Sequence, residues 1–539
     1  MPNEPLAGAL HLLLTEDGPR SPVLGQGVGA PQLGAGEVGQ GSPAPSFLWD
    51  DGADPNDLGL QRWGLVVPEG PVGAAALAAL APLIALRTAD QGGVRPLIYE
   101  VPWIEAASDA VRWRRRTFET SAIVADLPRY LLVVGDLHEV SHAVQGALAV
   151  DAFVGRLPWS DPARLRAYAE RVVAHEAGLP GTPPSLHLHA VEDGTTATRH
   201  AEEVLVTPLA ARLRADLDLD ASTVHHLQPG GPLSRQGLRD WLANGARSVA
   251  LTVAHGLGPP RAGWANAEVQ RERQGALCLA PEHEPLGGAE VADGPVWPGG
   301  VWFHLACYSA GVPTHSAYAH WLRRAAEQDW RLAATAERTL QGLALPGTRP
   351  FVSVLPREVL ANPQGPVAFV GHVDLAWSYA YTSEDGGRLN HLEPHAEFFR
   401  SLARGDRIGV AARRARRTLP YVEAQLGAWV DEQARGEAGP SAQELGMLWM
   451  LRNDLGAYVT LGDPAVRVRS RAPVVKEEPR PARVTAPATL ETCLGRVLAG
   501  ELSEEEAAAL LRMPGGRFSQ IFAAWRRAGR KVLVEQGLL

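Results

Sequence analysis

The sequence predicts an α/β protein: a mostly parallel sheet flanked by helices, with a smaller α/β subdomain ahead of the main one and a helical appendage behind it. Three observations carry this expectation. Strand-like runs alternate with helical stretches from Arg62 to Val468, the order that builds a parallel sheet. The strands, above all Tyr130–Val134, are continuous apolar runs, so helices are expected on both sheet faces. Beyond a Pro-rich, charged stretch, helical spacing resumes near the end of the chain. The expected segments are 1–60, a Gly/Pro-rich N-terminal stretch; 61–180, the smaller α/β subdomain; 181–470, the main α/β domain; 471–487, a linker; and 488–539, a small helical domain.

The elements follow in order. A strand is expected near Leu10–Leu14, before Gly/Pro/Gln-rich sequence that buries little. Trp63–Val67 reads as a strand, Val72–Leu86 as one helix, Val94–Tyr99 as a strand and Ser108–Thr117 as helical. Tyr130–Val134 ends in Gly135-Asp136. Ala152–Leu157 precedes a helix that opens at Ser160-Asp161-Pro162, a cap with proline in the first turn, and closes at Gly178. The second series begins with strand Ser185–Val191 and a helix over 199–213, then Leu238–Asn244 and strand Ser248–Ala254. Strand Gly300–Leu305, helix Ser316–Gln328 and strand Val367–Gly371 come next, with helices over 392–403, 407–433 and 442–455 and a last strand from Tyr458. In the appendage, Ser503 and Glu506 fit a capping box, and Ile521, Phe522, Trp525 and Val532 form an apolar face. Its basic Phe518–Leu533 stretch mimics a DNA-reading helix, but a packing or partner-protein-binding module is the expected reading.

Composition narrows the function. With 539 residues, 45% hydrophobic and 21% charged, the chain can bury a large core across two or more domains. A net charge of −9 offers no general attraction for nucleic acid. The basic run Arg413-Arg414-Ala415-Arg416-Arg417 reads as a solvated helix face. Three cysteines exclude a disulfide framework and suit a reducing compartment. No run approaches the roughly 18 apolar residues of a membrane span, and Met1–Pro5 lacks the basic region of a secretory signal. A cytoplasmic protein is expected, with neither nucleic-acid nor membrane partners.

Two strand ends hold the residues that point to chemistry. One strand stops at Ala306-Cys307, the other at His255-Gly256. In a parallel sheet the carboxyl edge is where ligands bind. If the two strands are neighbours, a thiol and an imidazole share that edge, as a cysteine nucleophile requires. Taken singly, Cys307 also reads as a core cysteine and His255 as a strand-end histidine; the pair makes the catalytic reading competitive. His187 and His189 share a strand face near Glu192, but no third zinc ligand is evident, so neither metal nor cofactor is expected. Cys278 and Cys493 read as structural. A nucleotide-binding oxidoreductase would need a Gly-rich strand–helix turn, and the Gly25–Gly41 stretch lacks that context.

His-Gly at one strand end and Ala-Cys at the next is similar to the caspase-like fold of cysteine peptidases, and the wider layout resembles the gingipain family over residues 62–468. Tyr130–Asp136, Phe153–Leu157, Val367–Phe369 with Trp377-Ser378, and Leu461-Gly462-Asp463-Pro464 carry the likeness in order. The resemblance implies a caspase-like catalytic domain over 181–470 and an endopeptidase acting on protein substrates through a thioester acyl-enzyme. Position by position it implies Cys307 as nucleophile, His255 as general acid, and the N–H groups of Gly256 and Cys307 as oxyanion hole. It further implies Glu192 as the carboxylate orienting His255, and Trp377 as a wall of the specificity pocket; a surface carboxylate and a core tryptophan are the competing readings. Thr198 stands where arginine-cleaving relatives place a pocket aspartate, with Asp193 and Asp374 as candidate replacements. The alternative function is a catalytically silent caspase-like scaffold that binds partners. By analogy with caspase-like peptidases of bacterial defence operons, the expected target is a pore-forming or signalling protein encoded nearby.

Overall fold

The structure is a computed structural model. It describes residues 54–118, 127–216, 219–227, 234–260, 262–279, 284–328, 330–342, 349–382, 392–435 and 439–471, with short pieces before and after. The chain divides into two units, Met1–Ala472 and Pro473–Leu539.

The first unit is α/β and is organised by one ten-stranded sheet. We number its strands β1 Trp63–Pro68, β2 Leu97–Val101, β3 Tyr130–Val134, β4 Phe153–Leu157, β5 Leu186–Ala190, β6 Val224–His226, β7 Val249–Val253, β8 Val301–Leu305, β9 Ala368–His372 and β10 Tyr458–Gly462. Their spatial order is β6-β5-β7-β8-β9-β10-β4-β3-β1-β2. Every pairing is parallel except β9 with β10. The last strand therefore joins the two α/β series into one sheet and reverses its sense at the junction. Helices cover both faces of the amino-terminal half: Leu65, Val67 and Leu132 belong to one buried cluster, while Val66, Leu131 and Val133 belong to another.

Several elements differ from expectation for local reasons. The helix expected over Val72–Leu86 is two, Pro71–Ala79 and Ala81–Asp90, bent by 65° where Pro82 withdraws a backbone donor. The helix expected over 407–433 is also two, Ile408–Ala415 and Leu419–Ala434. The break falls within the basic run, and only Arg417 of its four arginines is exposed. The run is thus no solvated face. Strand β6 and helix Val354–Ala361 were not anticipated. Asp161 caps its helix as expected, accepting from Ala163 N at 2.9 Å.

Among the described residues, no single helix is long and apolar enough to cross a membrane. The bent pair passes by length and composition only, and it buries Ala76, Ala79 and Leu83 in the protein's own core. In the second unit, Cys493, Leu494, Ala507, Ala508, Phe518, Ile521 and Phe522 form a small cluster. Ala507 N donates to Ser503 O there, while Glu506, Trp525 and Val532 lie outside the described residues.

Beside the site, Thr252 on β7 and His304 on β8 are register partners. Trp302 Nε1 donates to Thr252 Oγ1 at 2.8 Å, and Thr252 Oγ1 lies 2.7 Å from His304 Nδ1. Burial pushes His304 down to about 4, so the ring is neutral in the fold. Burial also lowers His142 and His187 to about 4. The unfolded chain takes up protons on these rings below about pH 6.5. Their contribution is complete above that value and is lost as pH falls toward 4, by about 3 kcal/mol for the fully buried His304. Thermal melts are expected to show this decline, and His304→Gln to lose less between pH 7 and 4 than the parent.

Candidate active site

Strands β7 and β8 pair in register, Val253 against Leu305, and Ala254 N donates to Leu305 O at 3.1 Å. His255 and Cys307 each stand two residues further on, level with one another at the carboxyl edge of adjacent parallel strands. The backbones meet closely there: a Cβ on Gly256 would lie 1.7 Å from the Cys307 carbonyl oxygen. Glycine is the residue that permits this approach. Among the described residues, no other residue occupies the N–H of Gly256 or of Cys307. The Gly256 donor is thereby open to an oxyanion, while the Cys307 N–H lies against its own Sγ.

The chain turns at Tyr308, a non-glycine residue in the left-handed region at φ 56. Such a conformation costs about 1–3 kcal/mol and needs support. Tyr308 N donates to Asp374 O at 2.8 Å, and Ser353 Oγ donates to Tyr308 O. At the next residue, Ser309 Oγ donates to His304 O at 3.0 Å and accepts from His372 N at 2.8 Å.

Cys307 is half-buried, and its Sγ donates to Ala376 O at 3.5 Å. Burial pushes the thiol up to about 11, opposed by the Ala376 contact and reinforced by the charges of Asp374 and Asp454. At rest it is a neutral thiol. Asp454, fully buried on helix Ala442–Gly456, holds the loop above the sulfur. Its carboxylate accepts from Trp377 N at 2.9 Å and Ala380 N at 3.0 Å, and it lies 3.2 Å from His372 Nε2. Trp377 is half-buried on that loop, its ring 5.5 Å from that of Tyr318.

His255 is held from the other side. Its Nε2 lies 3.0 Å from Thr195 Oγ1 and 3.6 Å from Asp193 Oδ2. Asp193 Oδ1 accepts from Thr195 N at 3.0 Å, Thr195 Oγ1 at 2.8 Å and Thr198 Oγ1 at 2.7 Å. Burial acts against the Asp193 charge, but the Thr198 and Thr195 hydrogen bonds and His255 keep its carboxyl below the usual range. Because Thr195 Oγ1–H is spent on Asp193, the hydroxyl accepts from Nε2–H, which assigns the proton to Nε2 and leaves Nδ1 as the basic nitrogen.

The expected site residues thus take the following places. His255, Gly256 and Cys307 come together. Asp193, a pocket candidate from sequence, stands beside the imidazole, and Thr198 supports it. Glu192, expected as the orienting carboxylate, is exposed on the same loop and acts electrostatically on His189. Asp374 is buried at φ 93, accepting from Leu375 N at 2.8 Å and Ala317 N at 3.0 Å, and burial pushes its carboxyl up to about 6. Sequence reasoning missed three neighbours. Thr195 carries no signal beyond its place in a polar loop. Asp454 carried one, a carboxylate on an apolar helix face. Cys278, read as structural, donates its N–H to His255 O at 2.9 Å, and burial with the charges of Asp193 and Cys307 pushes its thiol up to about 12.

No family model matches the chain, and no curated protein matches it. Three chains of solved structures match it, two of which are described here by what they are. One, described as a protease, shares 16% identity with a TM-score of 0.43, covering 76% of this chain and 79% of that one. The other, the Arg-specific cysteine proteinase gingipain R, shares 11% identity with a TM-score of 0.37, covering 77% and 79%. Among the described residues, no group of three or more His, Cys, Asp and Glu side chains is placed to hold a metal ion.

Proposed function

We propose that the protein is a cysteine endopeptidase of caspase-like type, with Cys307 as nucleophile and His255 as its proton carrier. The observation that carries this reading is the register of β7 on β8, with Gly256 packed against the Cys307 carbonyl. Since the resting sulfur is a thiol, activation comes with substrate. His255 Nδ1 takes the S–H proton as Sγ attacks the scissile carbonyl carbon. The N–H groups of Gly256 and Cys307 receive the oxyanion. Nδ1–H then passes the proton to the leaving amine as the C–N bond breaks, leaving a thioester that water hydrolyses. Asp193 and Thr195 orient the ring. Trp377 walls the substrate pocket. A reducing, intracellular setting belongs to the same reading and is supported by three free cysteines.

The elevated Cys307 thiol favours a second reading, a silent scaffold that binds partners. Alkylation separates the two. Iodoacetamide is expected to label Cys307 ahead of Cys278, whose thiol is pushed up by burial and by the charges of Asp193 and Cys307, and ahead of buried Cys493. Asp374→Asn removes a charge that raises the Cys307 thiol, so its labelling should quicken and its pH profile move toward acid. Peptide mapping by mass spectrometry reads both effects. Equal, slow labelling of all three cysteines would favour the scaffold.

A further inference from the structure

Strand β9 ends at His372, whose side chain is fully buried next to the loop that covers Cys307. Its Nδ1 lies 3.2 Å from Asp374 O, and its Nε2 lies 3.1 Å from Asp454 O and 3.2 Å from Asp454 Oδ1. A backbone carbonyl only accepts, so each ring nitrogen must carry a proton to make its bond. Among the described residues, no donor meets either nitrogen. A neutral ring would set a lone pair against a carbonyl oxygen in a dry interior. The geometry therefore requires the imidazolium, with the fully buried Asp454 carboxylate as its counter-ion. Three further titratable groups surround it. Burial pushes the Asp374 carboxyl up, while its hydrogen bonds and the His372 charge oppose that rise. His142, on helix His142–Leu148, is kept neutral by burial and then by the charges of Arg156 and His372. Tyr458 on β10 stands edge-on to the imidazole, the ring centroids 4.8 Å apart.

We infer that His372 is a positioning residue for the reaction at Cys307, a buried cation that clamps two segments of the site to each other. The consequence for cleavage rests on the peptidase reading. Through Nδ1–H the ring holds Asp374 O, the same oxygen that accepts from Tyr308 N at 2.8 Å in the turn after the nucleophile. Through Nε2–H it holds Asp454, whose carboxylate accepts from Trp377 N and Ala380 N in the loop over the sulfur. The backbone N–H of His372 donates to Ser309 Oγ, which reaches back to His304 O on β8. One side chain thus ties the nucleophile's turn, the covering loop and the helix Ala442–Gly456 into a common frame. Being fully buried, it meets no substrate itself. Charge-assisted bonds of this kind are stronger than neutral ones, so the second proton decides how firmly the frame is held.

Nitrogen NMR spectra of the histidine side chains in the isotope-labelled full chain test it, at about pH 7.5, where exposed imidazoles are mostly neutral. One ring with both nitrogens protonated is expected. Its signal should vanish in His372→Gln, persist in His255→Ala, and lose one proton in Asp454→Asn, which withdraws the counter-charge. Peptide cleavage by His372→Gln should fall about 100-fold in kcat/KM, chiefly in kcat, as the turn loosens. Should His372→Gln not fold, persistence of the signal in His255→Ala and its change in Asp454→Asn carry the assignment. A parent without a doubly protonated ring, a signal that vanishes in His255→Ala instead, or an unaltered kcat in folded His372→Gln would overturn the inference. A parent that shows the signal and cuts no peptide counts against the peptidase reading alone. One that cuts peptides without the signal counts against the role of His372 alone.

Discussion

Cys307→Ala is expected to abolish peptide cleavage, with kcat/KM falling by roughly 10⁴–10⁶-fold, because no other group can form the thioester. The variant should fold as the parent does, since half-buried Cys307 gives up one sulfur hydrogen bond to Ala376 O and a small part of its packing against the core. His255→Ala should cost less, about 10²–10⁴-fold, since it removes proton transfer but keeps the oxyanion donors. Gly256→Ala tests those donors. The added Cβ would meet the Cys307 carbonyl at 1.7 Å, so the strand ends must separate and the two N–H groups diverge. A loss of about 10²–10³-fold is expected there. Profiling a peptide library with the parent and each variant measures all three. Cleavage retained by Cys307→Ala would place the chemistry elsewhere.

What was legible in the sequence was what continuous apolar strands can specify. Ser248–Ala254 and Gly300–Leu305 read as buried strands of one α/β series; that they are neighbours, which brings the residues after them to one edge, is a condition that the pairing of β7 with β8 supplies. Which carboxylate serves the histidine was not legible. Glu192 and Asp193 are adjacent, and only the loop's backbone course decides which side chain turns toward His255. The Thr195 and Thr198 hydroxyls hold that choice. The turn after Cys307 was not legible either: it is made by Tyr308, supported from distant Asp374 and Ser353. Periodicity also misread the basic run. Four arginines on a helix look solvated until the helix breaks at Arg416 and folds them onto a cavity wall. Strand β6, three residues of which two are histidines, has no apolar run to announce it. The direction of β10, which decides that there is one sheet, depends wholly on long-range pairing.

That joint gives the largest effect expected on stability. Asp463 follows β10, and among its neighbours is Arg87, whose side chain is fully buried. Asp463 Oδ2 accepts from Arg87 Nε at 2.8 Å, while Oδ1 accepts from Trp63 Nε1 at 2.9 Å and Ala465 N at 3.0 Å. Glu176 and Asp90 complete the cluster. Opposing burial, the Asp463 and Glu176 charges together hold the guanidinium well above its usual range. Asp463→Ala would strand part of that charge and two donors in the interior. The expected loss is about 3–5 kcal/mol by urea unfolding. Asp463→Asn keeps one oxygen acceptor and should lose roughly half as much. Because β10 pairs with β9 on one side and β4 on the other, the damage should reach both halves. Hydrogen exchange is expected to quicken in β1 and in β8 alike, with one cooperative transition. Quickening confined to one half, or a loss below about 1 kcal/mol, would mean that β10 is an edge ornament and the two halves are stable apart.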